Sequence, residues 1–401
     1  MKIAIVCGDD AYTEYDELAA DHVGEWHLQF CSALADHGHA VTAYPRRRNE
    51  YSSEVVERTF RTVPVSAGPA ITQPPREVLP FVGEWAGELH RLWTIDPPDV
   101  VHAFGWLGGL AAQLAARRLN LPTVQSCHGL SPTAAADDME RARVEPLLIR
   151  SATWMTGGSS EELESLTKLR RHRSCLAVLS TGVDIKRFAP TGPKRSESDL
   201  HRITQVESNA MPRNGFDKTI RVLPKLPGAE LMLAKTGIGP TDPERERREI
   251  ESLAGRLGVS DRVRFLGNVI PEELPSLLRS ADVVACTPQN APQATTALQA
   301  MASGTVVVGV AVGALIDTVI HGVTGMLVSP TKPHELHSAL KSVQSERFLR
   351  QSMGSAGRSR ALSRFTWDRI AMDALSIYEQ ASSPLPQRRS TVPRARGHSI
   401  V

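Results

Sequence analysis

No run of about 18 apolar residues occurs in the chain, so the sequence offers no membrane-spanning helix. Cysteine is scarce and scattered. Cys7, Cys31, Cys127, Cys175 and Cys286 show no Cys-x-x-Cys spacing, which supports neither a zinc site nor a disulfide framework. An excess of one charge is also missing: 46 Lys plus Arg face 44 Asp plus Glu. The arginines at 388, 389, 394 and 396 outnumber that small excess by themselves. Such a balance argues against a nucleic-acid partner, whose binding surface is strongly basic. The opening Met-Lys-Ile-Ala-Ile-Val-Cys-Gly is too short for a signal peptide and reads as a first strand, so the expected location is the cytoplasm. No Ser/His/Asp or Cys/His set stands out as a nucleophilic site.

What is present suits two soluble domains: 401 residues, 41% hydrophobic and 22% charged. Short β-type runs at 2–6, 40–44, 100–103 and 123–126 alternate with helical periods at 24–37, 78–93 and 107–119. The alternation restarts with strands at 203–206, 230–233, 263–265, 283–286 and 306–308. Helices between and after them are expected at 215–223, 244–257, 271–280, 295–302 and 333–343. This βαβα order predicts an α/β chain with two Rossmann-like, doubly wound domains facing a cleft. The expected limits are 1–190 and 200–365, joined by the Pro/Gly/Ser-rich stretch after Phe188, with a helix over 366–380 returning to the first domain. A disordered basic tail is expected over 381–401.

Three segments of the second half carry a more specific pattern: Ser280-Ala-Asp-Val-Val-Ala-Cys-Thr-Pro, Ala297-Leu-Gln-Ala-Met-Ala-Ser-Gly-Thr-Val-Val-Val-Gly and Gly313-Ala-Leu-Ile-Asp-Thr-Val-Ile-His-Gly-Val-Thr-Gly-Met-Leu-Val. With Gly38-His-Ala-Val-Thr-Ala-Tyr, Pro98-Asp-Val-Val-His-Ala, Val124-Gln-Ser-Cys-His-Gly, Ser180-Thr-Gly-Val-Asp-Ile-Lys-Arg-Phe and Phe365-Thr-Trp-Asp-Arg-Ile, the chain resembles the retaining glycosyltransferases of family four from residue 1 to about 380. Its look is nearest the actinobacterial branch that includes the mycothiol-pathway glycosyltransferase. The resemblance implies the GT-B fold, a nucleoside-diphosphate sugar donor, a small-molecule acceptor, and neither a metal nor a cofactor.

Residue by residue, the implied donor site is altered. Asn209 and Asn214 stand where the family has a diphosphate-clamping Arg and Lys, and Ala291 and Gln299 stand where it has two glutamates. A neutral donor holds phosphate about half as strongly as a charged one, so Arg213 or Lys235 would have to supply the missing cation, unless both are ordinary solvated surface charges. Gln299 would contact the ribose, or else complete a capping box with Thr296 as N-cap. Thr295 and Thr296 open a helix whose amides suit an anion. The resemblance places His128 beside the reacting sugar as the catalytic candidate, whereas His102 reads as a packed histidine of the sheet. Only Gly24 remains of a glycine pair near the donor phosphate. Glu25, Trp26 and His27 would shape an acceptor pocket, with Trp26 equally suited to the core. Trp85 and Trp93 lie on a helical stripe and read as core.

These features point to a retaining glycosyltransferase with an unusual donor or acceptor, in secondary metabolism and antibiotic biosynthesis. A thiol acceptor, as in lincomycin-type thioglycoside formation, would need less base assistance. The competing reading is a catalytically impaired homologue that binds a ligand or partner. Donor base, sugar and acceptor are not fixed by the sequence, and a homodimer stays open.

Overall fold

The computed structural model describes residues 1–8, 23–47, 55–56, 59–71, 73–127, 129–130, 139–170, 175–195, 198–208, 210, 214–237 and 242–383. Among these, eight strands make a first sheet: β1 (Lys2–Cys7), β2 (Ala40–Pro45), β3 (Val55–Val56), β4 (Arg61–Thr62), β5 (Val100–Phe104), β6 (Thr123–Cys127), β7 (Trp154–Gly157) and β8 (Leu176–Val178). Their order is β3-β4-β2-β1-β5-β6-β7-β8, parallel except where β3 meets β4. The helices α1 (Val23–Asp36), α2 (Pro75–Val78), α3 (Val82–Ile95), α4 (Trp106–Leu119), α5 (Met139–Ser151) and α6 (Ser160–Arg170) connect them.

Six further strands make a second sheet: β9 (His201–Glu207), β10 (Ala229–Lys235), β11 (Val263–Asn268), β12 (Val283–Cys286), β13 (Val306–Val310) and β14 (Gly325–Val328). They are all parallel, in the order β11-β10-β9-β12-β13-β14. The helices of this half are α7 (Phe216–Val222), α8 (Pro243–Arg256), α9 (Leu274–Arg279), α10 (Thr295–Ala302), α11 (Ala314–Thr318), α12 (Pro333–Ser345) and α13 (Arg347–Arg364). The valine-rich strands β5 and β13 are buried along their whole length, as parallel strands covered on both faces must be. The expectation of two doubly wound α/β domains therefore holds in both halves.

The last described helix, α14 (Trp367–Ser382), leaves the second lobe and packs on the first. Its Ile370, Ala371, Ala374 and Tyr378 share a core with Ile3, Phe30, Leu34 and Phe104. The Tyr378 hydroxyl meets His102 Nδ1 at 2.6 Å, and His102 Nε2 meets Ser126 Oγ at 2.7 Å. His102 is thus a fully buried member of a hydrogen-bonded row, which fits its reading as a packed sheet residue. Trp85, Leu89 and Trp93 are likewise fully buried on α3. The helix expected over 78–93 starts earlier and is broken. Pro80 has no N–H to continue the ladder, so α2 and α3 are separated by a 3₁₀ turn over Leu79–Phe81. The stretch after Phe188 is strapped to the second lobe, where the Arg279 guanidinium donates to the carbonyls of Ala189 (3.3 Å) and Pro193 (2.9 Å). The disordered tail expected over 381–401 does not begin at 381, because α14 runs on to Ser382 with Ala381 buried, and residues 384–401 lie outside the described residues.

Candidate active site

In the second sheet β10 lies on one side of β9 and β12 on the other. Connections leaving the carboxyl ends of β9 and β12 diverge, and that reversal opens the crevice where doubly wound sheets bind ligands. A row of satisfied polar groups floors it. Gln205 of β9 donates from Nε2 toward Glu207 Oε1 (3.2 Å), the Asn214 carbonyl (3.1 Å) and Thr287 Oγ1 (3.1 Å), and accepts from Thr219 (2.6 Å). Lys218 of α7 donates to the Thr287 carbonyl at 3.0 Å. Gly215 makes this approach possible: its φ is +80°, and a Cβ there would collide with the Thr287 carbonyl. Asn214 is therefore held at the crevice, half-buried. Glu207 ends β9 among these groups. Burial pushes its carboxyl up to about 8, against the opposing pull of Gln205 and Lys218.

The start of α10 forms the adjoining wall. Thr296 Oγ1 donates to the Val206 carbonyl at 3.2 Å, tying the helix to the end of β9. This overturns the capping box expected from Thr296 and Gln299. Ala294 is the N-cap and offers no side-chain bond, so the helix already runs at Thr295. Gln299 then falls beyond the third helical position that a capping box uses. The helical ladder begins with Leu298 N–H on the Ala294 carbonyl (2.9 Å). The amides of Thr295, Thr296 and Ala297 precede it and carry the positive end of the helix. Gln299 is half-buried on this helix. Ala291 is buried, and its carbonyl accepts the Ala314 N–H at 2.7 Å.

Lys235 is brought to the carboxyl end of β10, in register with Glu207. Its ammonium is not available as the replacement cation, nor is it a solvated surface charge. Lys235 Nζ is bound to Glu246 of α8, and each side chain is 3% exposed.

In the first lobe, Trp26 is half-buried rather than open to the cleft. Its ring stacks on Trp367 at 6.4 Å and meets the edge of Phe104 at 4.9 Å. His27 is buried, with Nε2 2.6 Å from Cys7 Sγ at the end of β1. The sequence showed no Cys/His pair, because 20 residues separate these two. Gly24 and Glu25 lie in the first turn of α1, and only their backbone is described. His128, Asn209 and Arg213 lie outside the described residues.

Glu162 is a site residue that the sequence reading passed over. Its Oε2 accepts Gly158 N–H (2.7 Å) and its Oε1 accepts Gly129 N–H (2.8 Å). Burial pushes this carboxyl up to about 7, and the two amides and Arg141 pull it back. A local signal was available. Ser159 and Glu162 have capping-box spacing, and Ser159 Oγ does accept the Glu162 N–H at 3.1 Å. Just before it, Ser160 N–H and Oγ donate to Asp317 (2.7 Å each), while Glu161 accepts the Gly313 N–H at 2.6 Å. The beginnings of α6 and α11 thus lend each other a carboxylate across the cleft, which complements both helix dipoles.

Comparison with known proteins agrees with this arrangement. Residues 25–187 match the family described as Glycosyltransferase Family 4, and residues 203–360 match Glycosyl transferases group 1. The D-inositol 3-phosphate glycosyltransferase of Xylanimonas cellulosilytica is 30% identical over 393 residues, covering 90% of this chain and 92% of that protein. Its counterpart from Corynebacterium diphtheriae is 28% identical, covering 88% of each. Among solved structures, sucrose-phosphate synthase from Thermosynechococcus elongatus superimposes with a TM-score of 0.81 at 24% identity, covering 95% of this chain and 98% of that one. Anabaena HepE, solved in complex with UDP-glucose, gives a TM-score of 0.72 at 18% identity over 95% and 100%. With its two parallel-sheet lobes, GT-B likeness and full-length relatives, the chain belongs to the family-four glycosyltransferases.

Proposed function

We propose that the chain transfers a glycosyl group, with retention and without a metal ion, from a nucleoside-diphosphate sugar to a small acceptor. The observation that carries this is the crevice between β9 and β12, with the first amides of α10 pinned beside it by Thr296. Those amides and Asn214 would hold the diphosphate by neutral donors and the helix dipole. Gln299 keeps one carbonyl acceptor for a ribose hydroxyl. In the family's mechanism the acceptor attacks the face that the diphosphate leaves, and the leaving phosphate takes the acceptor's proton. No protein nucleophile is then needed. The relatives' printed name, D-inositol 3-phosphate glycosyltransferase, supports a small phosphorylated acceptor. A thiol acceptor in secondary metabolism is the narrower alternative, motivated by the altered clamp. The expected place of action is the cytoplasm.

A thermal-shift screen with UDP, GDP, TDP and ADP tests the proposal. One of them should raise the melting midpoint, with about 2.7 kcal/mol of stabilisation at about 100-fold excess over its Kd. The shift should survive a chelator. No response to any nucleotide would defeat the proposal, and a chelator-sensitive one would defeat the metal-free clause.

Three features of the crevice favour a second reading, a ligand-binding homologue without transfer activity. Asn214 is neutral, Lys235 is neutralised by Glu246, and Glu207 adds a buried carboxyl to the crevice. Nucleotide binding with no turnover of any nucleotide sugar would select that reading.

A further inference from the structure

We infer that Glu162 is a positioning residue that sets the acceptor-side wall of the cleft by holding two loop amides at once. The inference rests on the reading of this cleft as the transfer site. Gly129 follows β6 and Gly158 follows β7, and one carboxylate holds both amides, one on each oxygen. Gly129 is also held from its other side, because its carbonyl accepts from the Arg141 guanidinium, which donates through Nε to Glu145 Oε1 at 2.8 Å. Both glycines lie against Pro292, in the loop of the second lobe that leads into α10. A Cβ on Gly129 would stand 3.2 Å from the Pro292 Cβ, and one on Gly158 would stand 2.5 Å from the Pro292 carbonyl. Gly129 has a φ of +89°, so the wall needs glycine there for its backbone as well.

The same helical turn reaches the second lobe. Ser160 and Glu161 engage Asp317 and Gly313, and Glu162 engages the two glycines. Three successive residues therefore connect the donor lobe to the acceptor-side loops. An ionised carboxylate can accept both amides at full strength. A protonated one turns an oxygen into a hydroxyl donor, and one glycine amide loses its partner. The charged groups that act on Glu162 are Arg141 and Glu145 of α5, whereas the neighbouring Glu161 is engaged by Gly313, and Asp317 of α11 by Ser160. Of these, Arg141 favours the ionised form and Glu145 opposes it.

Hydrogen exchange on the full chain tests this without knowledge of the substrate. After correction for intrinsic rates, the Gly129 and Gly158 amides should be protected above pH 7, and the protection should fall as pH drops through about 7. In Glu162→Gln, which keeps one carbonyl acceptor, at least one of the two amides should lose about tenfold in protection, the scale of a hydrogen bond to a charged group. The pH step should vanish. Glu162→Asp should restore the step, shifted in midpoint. Exchange in β10 and β13 should be unchanged in both variants, which separates this loss from unfolding. Unaltered protection at both glycines in Glu162→Gln, or a pH step that persists there, would overturn the inference. UDP titration and UDP release from UDP-glucose distinguish this from a failure of the functional proposal. Glu162→Gln should leave UDP affinity unchanged while turnover falls about 100-fold, the cost of a misplacement of about 1 Å. Wild-type protein that neither binds nor turns over nucleotide sugars would sink the transferase reading, whereas an exchange step without a turnover effect would sink the positioning role.

Discussion

The two lobes meet the cleft with opposite electrostatic habits. In the second lobe, the charged groups at the ends of β9 and β10 are satisfied inside the lobe: Lys235 by Glu246 and Glu207 by Gln205. In the first lobe, carboxylates reach away from their own helix. Glu162 goes to two loop amides and Glu161 goes to the other lobe. The second lobe therefore has a pre-assembled floor, and the facing wall is assembled by loops and sensitive to charge. The difference makes one side a fixed seat and the other a fitted cover.

The largest effect that would sharpen this contrast lies in the second lobe. Glu246→Ala leaves the Lys235 ammonium buried and unpaired, and should cost about 3–5 kcal/mol of stability in urea unfolding. Adding Lys235→Met should recover most of that loss. If Glu246→Ala costs less than about 1 kcal/mol, the pair is not part of a rigid floor.

Next comes the pH dependence of stability in the first lobe. The Glu162 carboxyl is raised when folded, so the native state binds more protons than the unfolded chain. Its contribution is therefore fully present below about pH 4.5 and is lost as pH rises to about 7. The loss is of order 3 kcal/mol, and Glu162→Gln should flatten this part of the stability profile. An unchanged profile in the variant would mean that Glu162 does not carry the titration.

The smallest effect concerns the seam. Asp317→Ala removes the carboxylate at the start of α6 and should cost about 1 kcal/mol, the usual value of a lost N-terminal cap. Nucleotide affinity should stay as it was, because the Asp317 carboxylate bonds Ser160 of the first lobe rather than the α10 amides. A large drop in UDP affinity with little change in stability would show that the two sides of the cleft are not separable.

The capping signals show how much of this was readable beforehand. Thr296 and Gln299 had the right spacing for a box, as did Ser159 and Glu162. Only the second pair makes the N-cap bond, since the Thr296 hydroxyl is claimed by Val206, 90 residues away. Helix α13 was not legible for a related reason. Gly354 and Gly357 look like breakers, yet Gly354 is where the helix comes so close to the Gly304 carbonyl that a Cβ would not fit. Helix α5 carries Pro146 within a polar stretch and gave no clear period. The strands β5 and β13 were legible because valine runs buried on both faces need no partner to be recognised.

The sequence by itself determined the fold class and the family, because alternating strand and helix periods are local and the family segments are contiguous. It also determined that Asn209 and Asn214 carry no charge where the family resemblance implies an Arg and a Lys. Only the tertiary structure decided which charges are left to act. Lys235 lost its freedom to a glutamate one helix away, and Glu162 gained two glycine amides from loops on neighbouring strands. Hydrogen-bond partners are chosen by proximity in space, and burial then sets the cost of every charge left without one.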